Sequence, residues 1–156
     1  MIHAAILTIS DSATAGTRAD TSGPALAARI TELGWTVAAT GLVPDDPAAI
    51  AATLCEWSDA GHGLILTTGG TGLSERDVTP EATRTVIERE IPGIAEWIRA
   101  RGMEQTKMSI LSRGLAGQRK RSHAAAVQWF EQGVCADRLT GESEFPEKHV
   151  WTARGA

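Results

Sequence analysis

The chain has 156 residues, 42% of them apolar and 22% charged, enough for one domain with a sizeable core and ordinary for a globular protein. With 15 basic and 19 acidic residues the formal net charge is −4, which leaves no basic field for nucleic acid. Its apolar runs are strand-length, short of the ~20 residues of a membrane helix, so neither nucleic acid nor membrane is an expected partner.

Ala4–Ile9 (AAILTI) is a nearly continuous apolar run, the pattern of a strand buried on both faces. No basic segment precedes it and no small-residue cleavage site follows, so it reads as a first strand and not as a secretory leader. Ser10–Ser22 is polar and rich in small residues, a loop leaving that strand. Gly23-Pro24 opens a helix with Leu26, Ile30 and Leu33 on its apolar face, and Gly34 ends it. Trp35–Val43 is a second strand, followed by the turn Pro44-Asp45-Asp46-Pro47. Asp46 is placed to cap the next helix, which carries the stripe Ile50, Leu54, Trp57 and stops at Gly61. Cys55 on this helix and Cys135 show no C-x-x-C spacing, as expected in a reducing compartment such as the cytoplasm.

Gly63–Thr68 is a third buried strand and runs straight into Gly69-Gly70-Thr71-Gly72. After a loop to Val78, Thr79 is expected to cap a helix reaching about Glu90, with Glu81 in its positive first turn. Ile91-Pro92-Gly93 breaks that helix, and another covers Ile94–Arg101. The alternation of strands and helices predicts an α/β fold with a mostly parallel sheet.

Open α/β sheets bind ligands beyond the carboxyl ends of their strands. Three loops leave strands carrying polar or acidic residues: Ser10-Asp11-Ser12, Pro44-Asp45-Asp46 and TTGGTGLSERD from Thr67 to Asp77. In the third, glycines 69, 70 and 72 allow backbone N–H groups to approach an anion, with the hydroxyls of Thr67, Thr68 and Thr71 beside them. It is not a P-loop, because G-x-x-x-x-G-K-[ST] is absent. The glycines are also what a tight strand exit requires; the three-loop convergence and Asp77 favour the anion site. Carboxylates beside bound phosphate are intelligible when they hold Mg²⁺, which makes Asp45 and Asp77 candidate metal ligands. Each has a plainer reading: Asp45 leads into a helix, and Asp77 pairs with Arg76 or leads into the cap at Thr79. Asp11 is equally open. His3, His62, His123 and His149 show no metal-ligand spacing, Trp35, Trp57 and Trp97 fall where packing explains them, and Arg119-Lys120-Arg121 reads as a solvated segment.

The strings ILTISDSATAGTRADTSGPAL, LVPDD, LILTTGGTGLSERDVTPEAT, PGIAEWIRARG and SILSRGLAG resemble successive motifs of the molybdopterin adenylyltransferase family, over about residues 4 to 117. The resemblance implies a molybdopterin-binding fold, a three-layer α/β sandwich with helices on both faces of the sheet, forming one domain over 1–156. It also implies a homotrimer that transfers AMP from Mg-ATP to molybdopterin, releases pyrophosphate, and passes the product to a downstream molybdate-inserting enzyme. By the same resemblance Asp45 and Asp77 are the catalytic acids. Asp11 and Ser12, with Thr68, Gly69, Gly70, Thr71 and Gly72, match the ligand-binding loops. A non-catalytic molybdopterin-binding protein of the same fold is the alternative.

From 118 onward the chain departs from that pattern. The family continues with an apolar strand, a Leu-Pro-Gly-x-Pro-Lys-type loop that helps hold the ligand, and a final helix. Residues 118–156 contain no Pro-Gly dipeptide, although Ala124–Phe130 retains strand character. Codons compatible with His123–Gly133, read one nucleotide later, allow an apolar strand followed by Asn-Gly-Ser-Ser-Lys. The segment is therefore expected to be a frameshifted family C-terminus. Resequencing the coding DNA around the Gln118–His123 codons is expected to reveal a single-nucleotide displacement; a correct frame, with the shifted one full of stops, overturns the idea.

Overall fold

A computed structural model describes residues 2–120 and 122–126. In chain order the elements are β1 (His3–Ile9), α1 (Asp11–Thr14), α2 (Ser22–Glu32), β2 (Thr36–Val43), α3 (Pro47–Asp59), β3 (Leu64–Thr68), α4 (Thr79–Val86), β4 (Arg89–Glu90), α5 (Pro92–Gly102), a 3-10 turn (Lys107–Leu111), β5 (Ala116–Arg119) and β6 (Ser122–Ala126). They form one sheet of order β2-β1-β3-β6-β5-β4. β2, β1, β3 and β6 run parallel, and β5 is antiparallel to both of its neighbours. Among the described residues no helix is long and apolar enough to cross a membrane.

β1 is the centre of the packing because alternate side chains serve opposite faces. Ala4 and Ile6 join Leu66, the α2 residues Leu26 and Ile30, and Ile98 of α5. Ala5, Leu7 and Ile9 join Ile65, the α3 residues Ile50 and Leu54, and Ala82 and Val86 of α4. Helices therefore cover both faces, as the three-layer expectation requires. β2 lies at the edge of the described sheet, and its residues alternate between exposed and half-buried. Trp35, Trp57 and Trp97 pack against these two cores.

Three expectations need correction. Ser10–Ser22 is not all loop: Ser10 accepts a hydrogen bond from Ala13 N (3.2 Å) and starts α1. The helix beginning at Thr79 ends at Val86, not near Glu90. Glu88 N and Ile91 N donate to Gln118 O (2.8 Å) and Ala116 O (2.7 Å), drawing Arg89–Glu90 into a short strand against β5. Local helical preference yields there to an available sheet edge. Finally, Thr79 does not cap α4; Val78 occupies the cap position and makes no side-chain cap bond. The Asp46 cap is as expected, accepting from Ala49 N at 2.8 Å.

Arg119 and Lys120 are not simply solvated: both pair with Asp59 at the end of α3, at 3.7 and 2.7 Å. The tail expected to be atypical lies outside the described residues beyond 126, as do Cys135 and His149.

Leu54 is fully buried whereas Leu73 is 67% exposed. Leu54→Ala is expected to cost about 2–5 kcal/mol in urea denaturation, and Leu73→Ala to stay within about 0.5 kcal/mol.

Candidate functional site

Parallel register brings three strand exits level. Ile9 pairs with Val43, and Thr8 with Thr68, so the chain leaves β1, β2 and β3 at one edge of the sheet. Ser10 N donates to Val43 O at 2.9 Å and holds the first two exits together.

One residue further, two aspartates tie the same loops in a reciprocal knot. Asp11 N donates to Asp45 Oδ2 at 2.9 Å, and Asp45 N to Asp11 Oδ1 at 3.0 Å. Each carboxylate thus spends one oxygen on the other's backbone. Arg76 takes the second oxygen of Asp11, through Nε at 2.9 Å and a closer contact from Nη2. The second oxygen of Asp45, Oδ1, points towards Gly70, 2.9 Å from where a Cβ there would lie. Arg76 therefore pairs with Asp11, not with Asp77. Ser12 stands beside the knot, its hydroxyl 3.1 Å from that of Ser10.

The third loop is pressed between the β1 exit and the start of α4. Gly69 (φ 101) and Gly70 (φ 61) are in the left-handed region, which glycine enters freely. A Cβ at Gly69 would strike Ile9 O, and one at Gly70 would strike Thr79 Oγ1. Thr79 is a clamp: its hydroxyl donates to Gly69 O (2.8 Å) and its amide to Gly70 O (3.0 Å). Thr68 and Thr71 are buried. Among the described residues, the N–H groups of Gly70, Thr71 and Gly72 donate to no backbone carbonyl, the state in which a glycine-rich loop can serve an anion.

Asp77 closes the loop. Its Oδ2 accepts from Ser74 N at 2.9 Å and lies 2.9 Å from the Cβ position of Gly72. Arg113, from the SRGLAG string, fastens the outside: its amide donates to Thr71 O (2.9 Å), its Nε to Gly72 O (2.7 Å), and its Nη groups to Asp77 O and Glu81. The Asp45 and Asp77 carboxylates thus approach the same loop at Gly70 and at Gly72.

Charge follows this geometry. The Arg76 hydrogen bond, helped by the Asp45 N–H, holds Asp11 below the usual carboxylate range. Burial pushes Asp45 up, as do the negative charges of Asp11 and Asp77, against the opposing Asp11 N–H and Arg76. Among the described residues no group of three or more His, Cys, Asp or Glu is placed to hold a metal. Mg²⁺ keeps most of its shell for water and phosphate oxygens and needs only one or two protein carboxylates, and Asp45 and Asp77 are the pair here that could supply them.

Sequence reasoning missed Arg76 and Arg113 as fasteners, and Thr79 as a clamp. It also missed Asp20, whose carboxylate accepts from Thr8 Oγ1 (2.8 Å) and from Ser22 N and Gly23 N (both 3.0 Å). Asp20 thereby caps α2 and lines a cavity of about 170 Å³ shared with Ser10, Arg18, Thr68 and Gly69.

A family model described as "probable molybdopterin binding domain" matches residues 5–142. The molybdenum cofactor synthesis protein cinnamon of Drosophila melanogaster is 44% identical over 114 residues, 72% of this chain but 19% of its own length. The molybdopterin adenylyltransferase of Escherichia coli K12 is 42% identical over 120 residues, 75% of this chain and 62% of its own length. In each case the chain spans less than two thirds of the relative. The crystal structure of the molybdopterin biosynthesis enzyme MoaB from Thermus thermophilus is 44% identical and superposes with a TM-score of 0.81, covering 87% of this chain and 86% of that one.

Because its folded-state pKa is raised, Asp45 favours the folded chain most below its unfolded pKa, and that contribution is lost as pH rises through the folded value. Ionisation of Asp45 therefore costs the fold stability relative to the protonated acid. Asp45→Asn is expected to raise the thermal midpoint at pH 7, by a margin that shrinks as pH is lowered through the carboxylate range; an unchanged or lower midpoint at pH 7 contradicts this.

Proposed function

The chain belongs to the family of probable molybdopterin binding domains, whose model matches residues 5–142, and from that premise we propose that it is a molybdopterin adenylyltransferase. It transfers AMP from Mg-ATP to a phosphorylated pterin and releases pyrophosphate. The observation that supports this reading is the approach of the Asp45 and Asp77 carboxylates to one glycine loop, each 2.9 Å from the Cβ position of Gly70 and Gly72 respectively.

An oxygen of the pterin phosphate attacks the α-phosphorus of ATP. The bridging P–O bond to the β-phosphate breaks, and pyrophosphate leaves with the electron pair. The attacking oxygen is already anionic at neutral pH, so a general base would have almost nothing to remove. The difficulty lies in bringing two polyanions together and stabilising charge on the transferring group. The amides of Gly70, Thr71 and Gly72, which donate to no backbone carbonyl among the described residues, suit that task, and Thr79 and Arg113 hold their loop in place before substrate arrives. Mg²⁺, when bound, supplies neutralisation of the polyphosphate, and Asp45 and Asp77 would hold it. Asp11 orients Asp45 through the reciprocal knot, and Ser12 and Thr68 border the ligand.

The homotrimer, the cytoplasmic setting and delivery to a molybdate-inserting enzyme belong to the same reading and rest on the family resemblance. So does the proposal that residues from 118 onward depart from the family through a shifted frame.

Pyrophosphate release with ATP and molybdopterin tests the reading, and binding of the pterin without turnover would favour the non-catalytic alternative. Asp45→Asn and Asp77→Asn are each expected to lower kcat by about a hundredfold or more and to raise the Mg²⁺ concentration needed for half-maximal rate. A neutral-range pKa in the rate profile, abolished by Asp77→Asn, would show base catalysis instead.

A further inference from the structure

The pairing of Arg76 with Asp11 leaves the guanidinium half used at a place where phosphate charge must be met. Asp11, Asp45, Asp46 and Asp77 lie at or beside the strand exits. Arg113 is committed to Glu81, Gly72 O and Asp77 O. Arg76 springs from the glycine-loop segment between Gly72 and Asp77, and its side chain is 66% exposed. It reaches Asp11 through two nitrogens on a single oxygen, Oδ2, because Oδ1 is occupied by Asp45 N. Among the described residues its Nη1 donates to nothing. Two nitrogens matched to two oxygens make the strong arginine arrangement. This pair lacks it, and ion pairs so exposed contribute little to stability. A phosphate would offer the second oxygen. Arg76 is also more exposed than Asp45 or Asp77, and so is open to a ligand arriving from solvent.

We propose that Arg76 is a substrate-binding residue that exchanges Asp11 for the β- and γ-phosphates of the nucleotide. The inference rests on the adenylyltransferase reading and deepens it. As the bond between the α- and β-phosphates breaks, its electron pair passes to the leaving pyrophosphate, and Arg76 meets the charge that develops there without any proton transfer. Arg76 thereby distinguishes a triphosphate from a monophosphate.

Isothermal titration of the full chain with Mg-ATP, Mg-pyrophosphate and AMP tests this. Arg76→Gln is expected to weaken Mg-ATP and Mg-pyrophosphate about tenfold or more, with AMP affinity unchanged. Arg76→Lys should restore part of the loss, since it keeps the charge but not the fork. Equal weakening of AMP and pyrophosphate would reduce Arg76 to fastening Asp11 and overturn the proposal, as would unchanged pyrophosphate binding. If the wild-type chain bound none of the three, the nucleotide reading itself would fail and this proposal with it.

Discussion

Two chain segments that leave neighbouring parallel strands have no ladder to hold them together once the strands end. Here Asp11 and Asp45, each donating its amide to the other's carboxylate at 2.9 and 3.0 Å, continue the connection one step beyond the sheet. The arrangement has a charge penalty: two acids approach one another, a third stands across the glycine loop, and burial raises Asp45 further. Arg76 offsets part of that repulsion. The remainder is a cost that a divalent cation, on the proposed reading, would relieve.

The glycine loop depends on the same knot. Left-handed backbone at Gly69 and Gly70 allows the chain to pass within contact of Ile9 O and Thr79 Oγ1, and a loop so tightly placed has little room to adapt. Its carbonyls are taken by Thr79 and Arg113, while the amides of Gly70, Thr71 and Gly72 donate to no backbone carbonyl among the described residues. Satisfying the acceptors from within while leaving donors unsatisfied gives an otherwise neutral backbone a preference for anions. The proposed transfer of AMP needs that preference before the substrate arrives, because donors already oriented lose nothing to reorganisation when charge shifts.

Much of this was readable from residues in order. The runs AAILTI and LILTT are apolar without alternation, which marks strands covered on both sides, and the caps and glycine stops of α3 are local in sequence. The three acidic or glycine-bearing exits were likewise visible, because parallel strands must release their loops at one edge. What escaped depends on distant partners. Arg76 adjoins Asp77 in sequence, yet its guanidinium goes to a residue 65 positions away, and no spacing rule announces that choice. Thr79 has the composition of a cap but sits one residue inside the helix, where its hydroxyl finds the Gly69 carbonyl. The stretch VIERE looks helical by propensity, and only the edge of β5 turns Arg89–Glu90 into a strand.

The order β2-β1-β3-β6-β5-β4 places the last described strand in the interior of the sheet, between β3 and β5. During synthesis, β1, β2 and β3 can assemble while β3 still presents an open row of amides and carbonyls on its outer side. That row is filled only after residues 122–126 have left the ribosome, more than fifty positions after Thr68. Until then the nascent chain carries a bare, hydrophobic parallel edge of the kind that recruits other chains. Completion of the hairpin formed by β5 and β6 is thus a late, non-local closing step, the one that covers the outer side of β3.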